Sequence, residues 1–240
     1  MLNSSKPSGR LAVVLASALA FSAAACAQEE QDAADAGDAG AAEEIVLAQN
    51  DAPASTPAAD AGGIGVPSGT YVIEPSHAYL NVSYNHLGFS NPTIAFRTLD
   101  ATINFDAENP ANSSVSATID IDSLDTGVGH VSEFEEHIRD ERFFDLANYP
   151  TATFQSTSVE VTGANTGRIT GDLTIRDQTH PVTLDVVLNQ AANHPMRRTP
   201  ALGFGATTSL NRSEFGAGAF TPNVSDAVQI SFEGEFILEE

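Results

Sequence analysis

The sequence predicts an all-β domain over residues 69–240, a closed barrel or a two-sheet sandwich, with one short helix. Three observations predict it. Short runs alternate apolar and polar residues with period two. Turn-forming residues separate those runs. A single stretch, Ser132 to Asp145, breaks the alternation with helical spacing.

The elements follow in chain order. Residues 1–26 form a secretory signal: Lys6 and Arg10 without acids, the apolar run Leu11–Phe21, then small residues before a cut. That run is shorter than the roughly 20 residues that a spanning helix needs. Its lone cysteine, Cys26, follows Ala23-Ala24-Ala25 and resembles a lipobox, in which Cys26 is lipidated and anchors the chain to a membrane. Ala23 departs from the Leu usual three residues before the Cys. The competing cut after Ala27 leaves a soluble protein. The lipoprotein is favoured because the thiol has no other evident use. Residues 27–68 are rich in Ala, Asp, Glu, Gly and Pro and lack aromatics, which predicts a disordered acidic tether.

Within the domain, Ile103 and Phe105 alternate with Thr102 and Asn104, and Val115, Ala117, Ile119 and Ile121 with Ser116, Thr118 and Asp120. Val182, Leu184, Val186 and Leu188 form a third series, and Val228, Ile230 and Phe232 a fourth. Each describes a strand with one apolar face. Gly163–Gly167 and Asp177–Thr179 are the expected hairpin links. Ser132 and Glu135 form a capping box, Phe134 and Ile138 share a helix face, and the helix is expected to end near Asn148-Tyr149-Pro150. It would plug one end of a barrel with its aromatics. Alternation alone is met equally by a hollow barrel and a packed sandwich.

Charge excludes some partners. Beyond the signal the chain carries eight arginines and no lysine against 32 acidic residues. Neither nucleic acid nor an anionic membrane surface suits it. Six histidines, His77, His86, His130, His137, His180 and His194, lack metal-ligand spacing, so no metal site is expected. There is no G-x-S-x-G elbow and no phosphate-binding glycine loop, so no catalytic residue is assigned.

Six segments, in order, are similar to the YceI-like family. They are Tyr71-Val72-Ile73-Glu74-Pro75-Ser76-His77; Tyr84-Asn85-His86-Leu87-Gly88-Phe89-Ser90; Ser123-Leu124-Asp125-Thr126-Gly127; Phe143-Phe144-Asp145 with Tyr149-Pro150 and Phe154-Gln155-Ser156-Thr157; Gly171-Asp172-Leu173-Thr174-Ile175-Arg176; and Asn211-Arg212-Ser213-Glu214-Phe215-Gly216. Ala78, Ala95 and Asp177 depart from the residues usual in the family. The resemblance implies an eight-stranded, antiparallel, lipocalin-like barrel in the periplasm. Its apolar pore would bind a polyisoprenoid, such as an isoprenoid quinone, or another long-chain lipid, without a cofactor and without enzyme activity. The expected head-group contacts are His77, Tyr84, His86 and Arg212. The expected wall residues are Phe96, Phe105, Ile119, Phe134, Phe143, Phe144, Phe154 and Leu173. An envelope stress or protein-interaction module with a packed core is the alternative, and monomer and homodimer both stay open. An enzyme using His77 or His86 as general base ranks below both.

Overall fold

The computed structural model describes residues 64–128 and 132–240. Cys26, the signal, the tether up to residue 63 and His130 lie outside the described residues. Ten strands and one helix follow in chain order: β1 (Gly69–His86), β2 (Thr93–Phe96), β3 (Leu99–Phe105), β4 (Ser114–Asp120), β5 (Leu124–Asp125), α1 (Ser132–Arg139), β6 (Thr151–Val161), β7 (Thr166–Ile175), β8 (Gln178–Asn193), β9 (Pro200–Asn211) and β10 (Val224–Leu238).

They make eight positions around a closed ring. Two chain passes are broken. Leu80–Ser83 of β1 pair with β2, while Gly69–Val72 pair with β3, so β2 and β3 share one edge of β1. The break falls at Arg97 and Thr98, whose N–H groups both donate to Ser123 Oγ, at 3.1 and 3.0 Å. β4 and β5 are one pass interrupted by the tight turn Ile121–Ser123. The other edge of β1 pairs with β10 from Tyr71↔Leu238 to His86↔Val224, which closes the barrel. Every pairing is antiparallel and joins passes consecutive in the chain, except β1–β10, which joins the first to the last. Among the described residues, closure pairs both edges of every strand except the two-residue β5, which pairs with β2 alone. It also decides between the two architectures that alternation allows.

The alternating series point where the sequence predicts. On β8, Val182 and Val186 are buried and Leu184 and Leu188 half-buried, while Thr183, Asp185 and Val187 are exposed. Half-burial of inward residues is informative: Ala117, Ile119, Leu184 and Ile230 all face inward, yet none is fully buried. Their neighbours across the barrel do not fill the space in front of them.

The two ends differ. At one, Tyr71, Ile103, Phe105, Leu202 and Phe236 pack into a solid plug with Val66. Tyr71 is fully buried, its ring lies edge-on to Phe105 at 5.9 Å, and its hydroxyl donates to Pro67 O at 2.7 Å. The segment preceding β1 is thereby tied across this end. At the other end lie the β1–β2 turn, the segment from Ile121 to Pro150 with α1, the Arg176–Asp177 turn and residues 212–223.

Two sequence expectations are corrected. The helix ends at Arg139, well before Asn148. Beyond Arg139 the chain runs on in turns: Phe144 N–H reaches back to Ile138 O, and Asp145 sits at φ +50°. The Glu135 carboxylate takes Thr126 Oγ1 at 3.1 Å and Arg139 at 3.4 Å, tying α1 to the segment before it. At the second hairpin link, the left-handed residue is Arg176 (φ +58°), which leaves Asp177 free to stand where a glycine is usual.

One glycine is required by close approach. A Cβ on Gly171 would sit 2.5 Å from the Phe154 ring and 2.6 Å from Gln155 O. Gly171→Ala is expected to destabilise the domain by about 1–3 kcal/mol through overpacking, measured as a lower urea midpoint at unchanged slope.

Candidate functional site

The interior holds a cavity of about 530 Å³, within the range of roughly 300–1,000 Å³ for small-molecule sites. Its walls come from every pass of the barrel, as the alternation demands: Val82 from β1, Phe96 from β2, Ala101 from β3, Ala117 and Ile119 from β4, Phe154 from β6, Leu173 from β7, Leu184 from β8, Leu210 from β9 and Ile230 from β10. Deep in this space a water would find almost no hydrogen-bond partner, so its natural occupant is apolar. A second chamber of about 160 Å³ lies toward the plugged end. The two share Val115, Leu184, Ala206, Phe232 and Phe236 as walls.

Polar groups gather at the open end. Tyr84, His86, His137 and Arg212 all reach the lining there. His137 Nδ1 lies 2.8 Å from Glu133 O, a spacing that suits the Nδ1–H tautomer and leaves Nε2 as the acceptor. Burial pushes the Tyr84 hydroxyl up, and the nearby Arg212 guanidinium opposes that shift. Desolvation lowers the pKa of Arg212 itself, offset by Asp226 and Tyr84.

Two arginines hold the mouth together. Arg212 donates to three carbonyls: Ala217 O, Val224 O at 3.0 Å and Ser225 O at 2.8 Å. It thus fastens the 212–223 segment to the start of β10, with the Phe143 ring 5.9 Å below its guanidinium. Arg176 donates to Phe143 O at 3.2 Å and to Gly216 O at 2.6 Å, bridging the α1 segment and residues 212–223. Between them, Phe215 is almost fully buried and Gly216 takes the left-handed cap at φ +73°.

Most expected site residues converge. Phe96, Ile119, Phe134, Phe143, Phe144, Phe154 and Leu173 line the large chamber, with Tyr84, His86 and Arg212 at its mouth. Phe105 lines the smaller chamber instead. His77 is placed elsewhere and lines neither. It belongs to a four-residue bulge, Glu74–His77, opposite the single residue Glu235 of β10. There Glu74 is buried and accepts hydrogen bonds from Ser76 Oγ and Arg197, with His77 Nδ1 at 2.7 Å. His194 stands 3.5 Å from Glu235. Among the described residues no group of three or more His, Cys, Asp or Glu is placed to hold a metal ion.

The sequence reading passed over Glu74 and Arg197 because they lie 123 residues apart. Phe220 and Leu210 also line the cavity, beyond the expected wall residues. Leu210 had a usable signal, since it falls in phase with Thr208 and Ala206 on β9.

The Glu74 cluster has a pH consequence. The Ser76 hydroxyl chiefly, then His77 and Arg197, hold the Glu74 carboxyl below its ordinary value, against the upward push of burial. A carboxyl with a depressed folded-state pKa stabilises the fold fully above its unfolded value and loses that contribution as pH falls through the folded one. Thermal melts across the acid range are expected to show that loss. Glu74→Gln should melt lower at neutral pH and show a flatter acid limb.

Comparison with known proteins now bears on this hollow barrel. The YceI-like domain model matches residues 71–236. The chain belongs to the YceI-like family. This YceI-like protein is 36% identical over 167 residues to a UPF0312 protein of Pseudomonas savastanoi pv. phaseolicola, covering 68% of this chain and 85% of the relative. It is 39% identical over 142 residues to Protein YceI of Escherichia coli, covering 59% and 72%. Among solved structures, BcnA of Burkholderia cenocepacia superposes with a TM-score of 0.61 at 26% identity, covering 68% of this chain and 98% of that one. Residues within the matched range have clear structural roles in this YceI-like protein. Ser123 caps the broken strands, Arg176 and Arg212 staple the mouth, and Phe143 and Phe144 line the wall.

Proposed function

We propose that this YceI-like protein is a carrier that holds one polyisoprenoid chain, such as that of an isoprenoid quinone, inside its barrel. The observation that carries this reading is the shape and chemistry of the interior. The walls of the large chamber are mainly apolar, a smaller chamber adjoins it, and Tyr84, His86, His137 and Arg212 gather at the open end. A long apolar chain fits the depth, and its polar head fits the mouth beside Tyr84, His86, His137 and Arg212. Each buried CH₂ contributes about 0.8 kcal/mol, so a prenyl tail binds without a specific polar site.

The reading is of a binding protein rather than an enzyme. At the mouth, Arg212 is held by three carbonyls and His137 Nδ1 by Glu133 O, roles that shape the opening. The setting we propose is the periplasm, with the chain anchored through an acylated Cys26. Palmitate labelling lost in Cys26→Ser would support the anchor, and an unlabelled wild type would exclude it. The packed-core interaction module has less support, because the interior is open.

Native mass spectrometry tests the main reading. Protein stripped by organic extraction should take up a detergent-dispersed prenyl quinone with one-to-one stoichiometry. No uptake, together with no lipid in protein purified from cells, would sink it.

A further inference from the structure

We infer that the open end of the barrel docks on the surface of a lipid bilayer, through an apolar collar around the cavity mouth, and loads its ligand there. The inference rests on the cavity reading above and extends it to the source of the ligand. Phe89 is 91% exposed, and Leu87 and Phe220 are 51% and 56% exposed. These three are neighbours. Leu87 N–H donates to Asn223 O at 2.9 Å, and Val224 N–H donates to Phe220 O at 3.0 Å, which sets the β1–β2 turn beside the Phe220 loop. Phe134, on α1, is 36% exposed and completes the rim.

The collar is continuous with the interior. Phe134 and Phe220 are wall residues of the cavity as well as rim residues, and the Phe220 ring lies 6.0 Å from that of Phe143. Exposed large apolar side chains elsewhere are Tyr79 and Val187 on the barrel wall, Val128 before α1, and, at the plugged end, Val161 at the end of β6 and Met196 in a turn. Leu87 and Phe220 also sit at φ +56° and +64°, the left-handed region that a branched or bulky residue enters only at a cost. Side chains that are both strained and exposed contribute little to the fold. A contiguous patch of this kind marks an interaction surface.

The cavity decides the occupant. A chain that dissolves in these walls resides in a bilayer, and a mouth sealed against the bilayer lets it pass without crossing water. Charge narrows the lipid. Arg142 is paired with Asp140, and Glu133, Glu136 and Glu141 are exposed on and beside α1. An acidic rim of this kind fits a zwitterionic surface and is repelled by an anionic one.

The absence of tryptophan from the chain allows a direct test. Phe89→Trp places one indole on the collar, and Met196→Trp places one at the plugged end, outside both chambers. Each is mixed with phosphatidylcholine vesicles carrying acyl-brominated lipid. At position 89 the emission should shift to the blue and be quenched, and Leu87→Ser in the same chain should weaken both effects. At position 196 the indole should stay in water. Quenching at neither position, or equally at both, overturns the docking. Prenyl-quinone uptake from detergent is followed by native mass spectrometry in the same variants, which also shows that Leu87→Ser is folded. Uptake without quenching rejects the collar and spares the carrier. Loss of uptake in the wild type removes the carrier, and with it the loading role.

Discussion

Ala117→Trp is expected to lower the affinity for a prenyl quinone by about a hundredfold or more while leaving the fold intact. Ala117 faces the middle of the large chamber from β4, opposite space that no side chain fills. An indole there displaces about one isoprene unit, roughly five carbons at about 0.8 kcal/mol each. The resulting loss of about 4 kcal/mol is discounted by the ordering cost that a shorter bound segment no longer bears. The unliganded protein should melt no lower than wild type, because the new side chain fills a void. Titration by native mass spectrometry, paired with thermal melts, separates this outcome from misfolding. Binding at wild-type strength would place the ligand outside the barrel. Ala206, on the wall shared by the two chambers, offers a finer version. A larger residue there should select for shorter chains.

Arg212→Met is expected to cost about 3 kcal/mol in stability, and a fall in melting temperature of about 10 °C for a domain of this size. The three carbonyls that Arg212 bonds belong to Ala217, Val224 and Ser225, and the methionine leaves them without a donor in partly buried surroundings. Arg212→Lys should rescue little, because an ammonium cannot reproduce the planar fork that reaches all three. Denaturant unfolding checks the size of the effect. A loss under 1 kcal/mol would show that the mouth is held mainly by Arg176 and the packing of Phe215. Arg212 thus acts first as a staple that shapes the opening, and its two remaining N–H groups are what a ligand head could use.

The strands were legible because alternation is local: Val182 to Leu188 and Val115 to Ile119 announce their own inward faces. The wall of the site was legible for the same reason, and Phe154 and Leu173 converge on it as neighbours in β6 and β7. The helix was recognised but overextended. Nothing in the run from Asp140 to Asp145 signals that Asp145 takes a left-handed turn. His77 lines neither chamber because the four-residue bulge carries it away from the cavity. Strand periodicity cannot show a bulge, whose cause is the partner strand.

By itself, the sequence determined an all-β domain from residue 69 onward, its one helix, and the apolar side chains that would face inward, since each follows from spacing along a few residues. Only the tertiary structure decided that the sheet closes through β1 and β10, that the interior is hollow at one end and plugged at the other, and that Arg176 and Arg212 tie the mouth. The physical reason is range. Inward-facing residues are chosen by a period of two, but the space they leave depends on what faces them across the barrel, from strands far away in the chain.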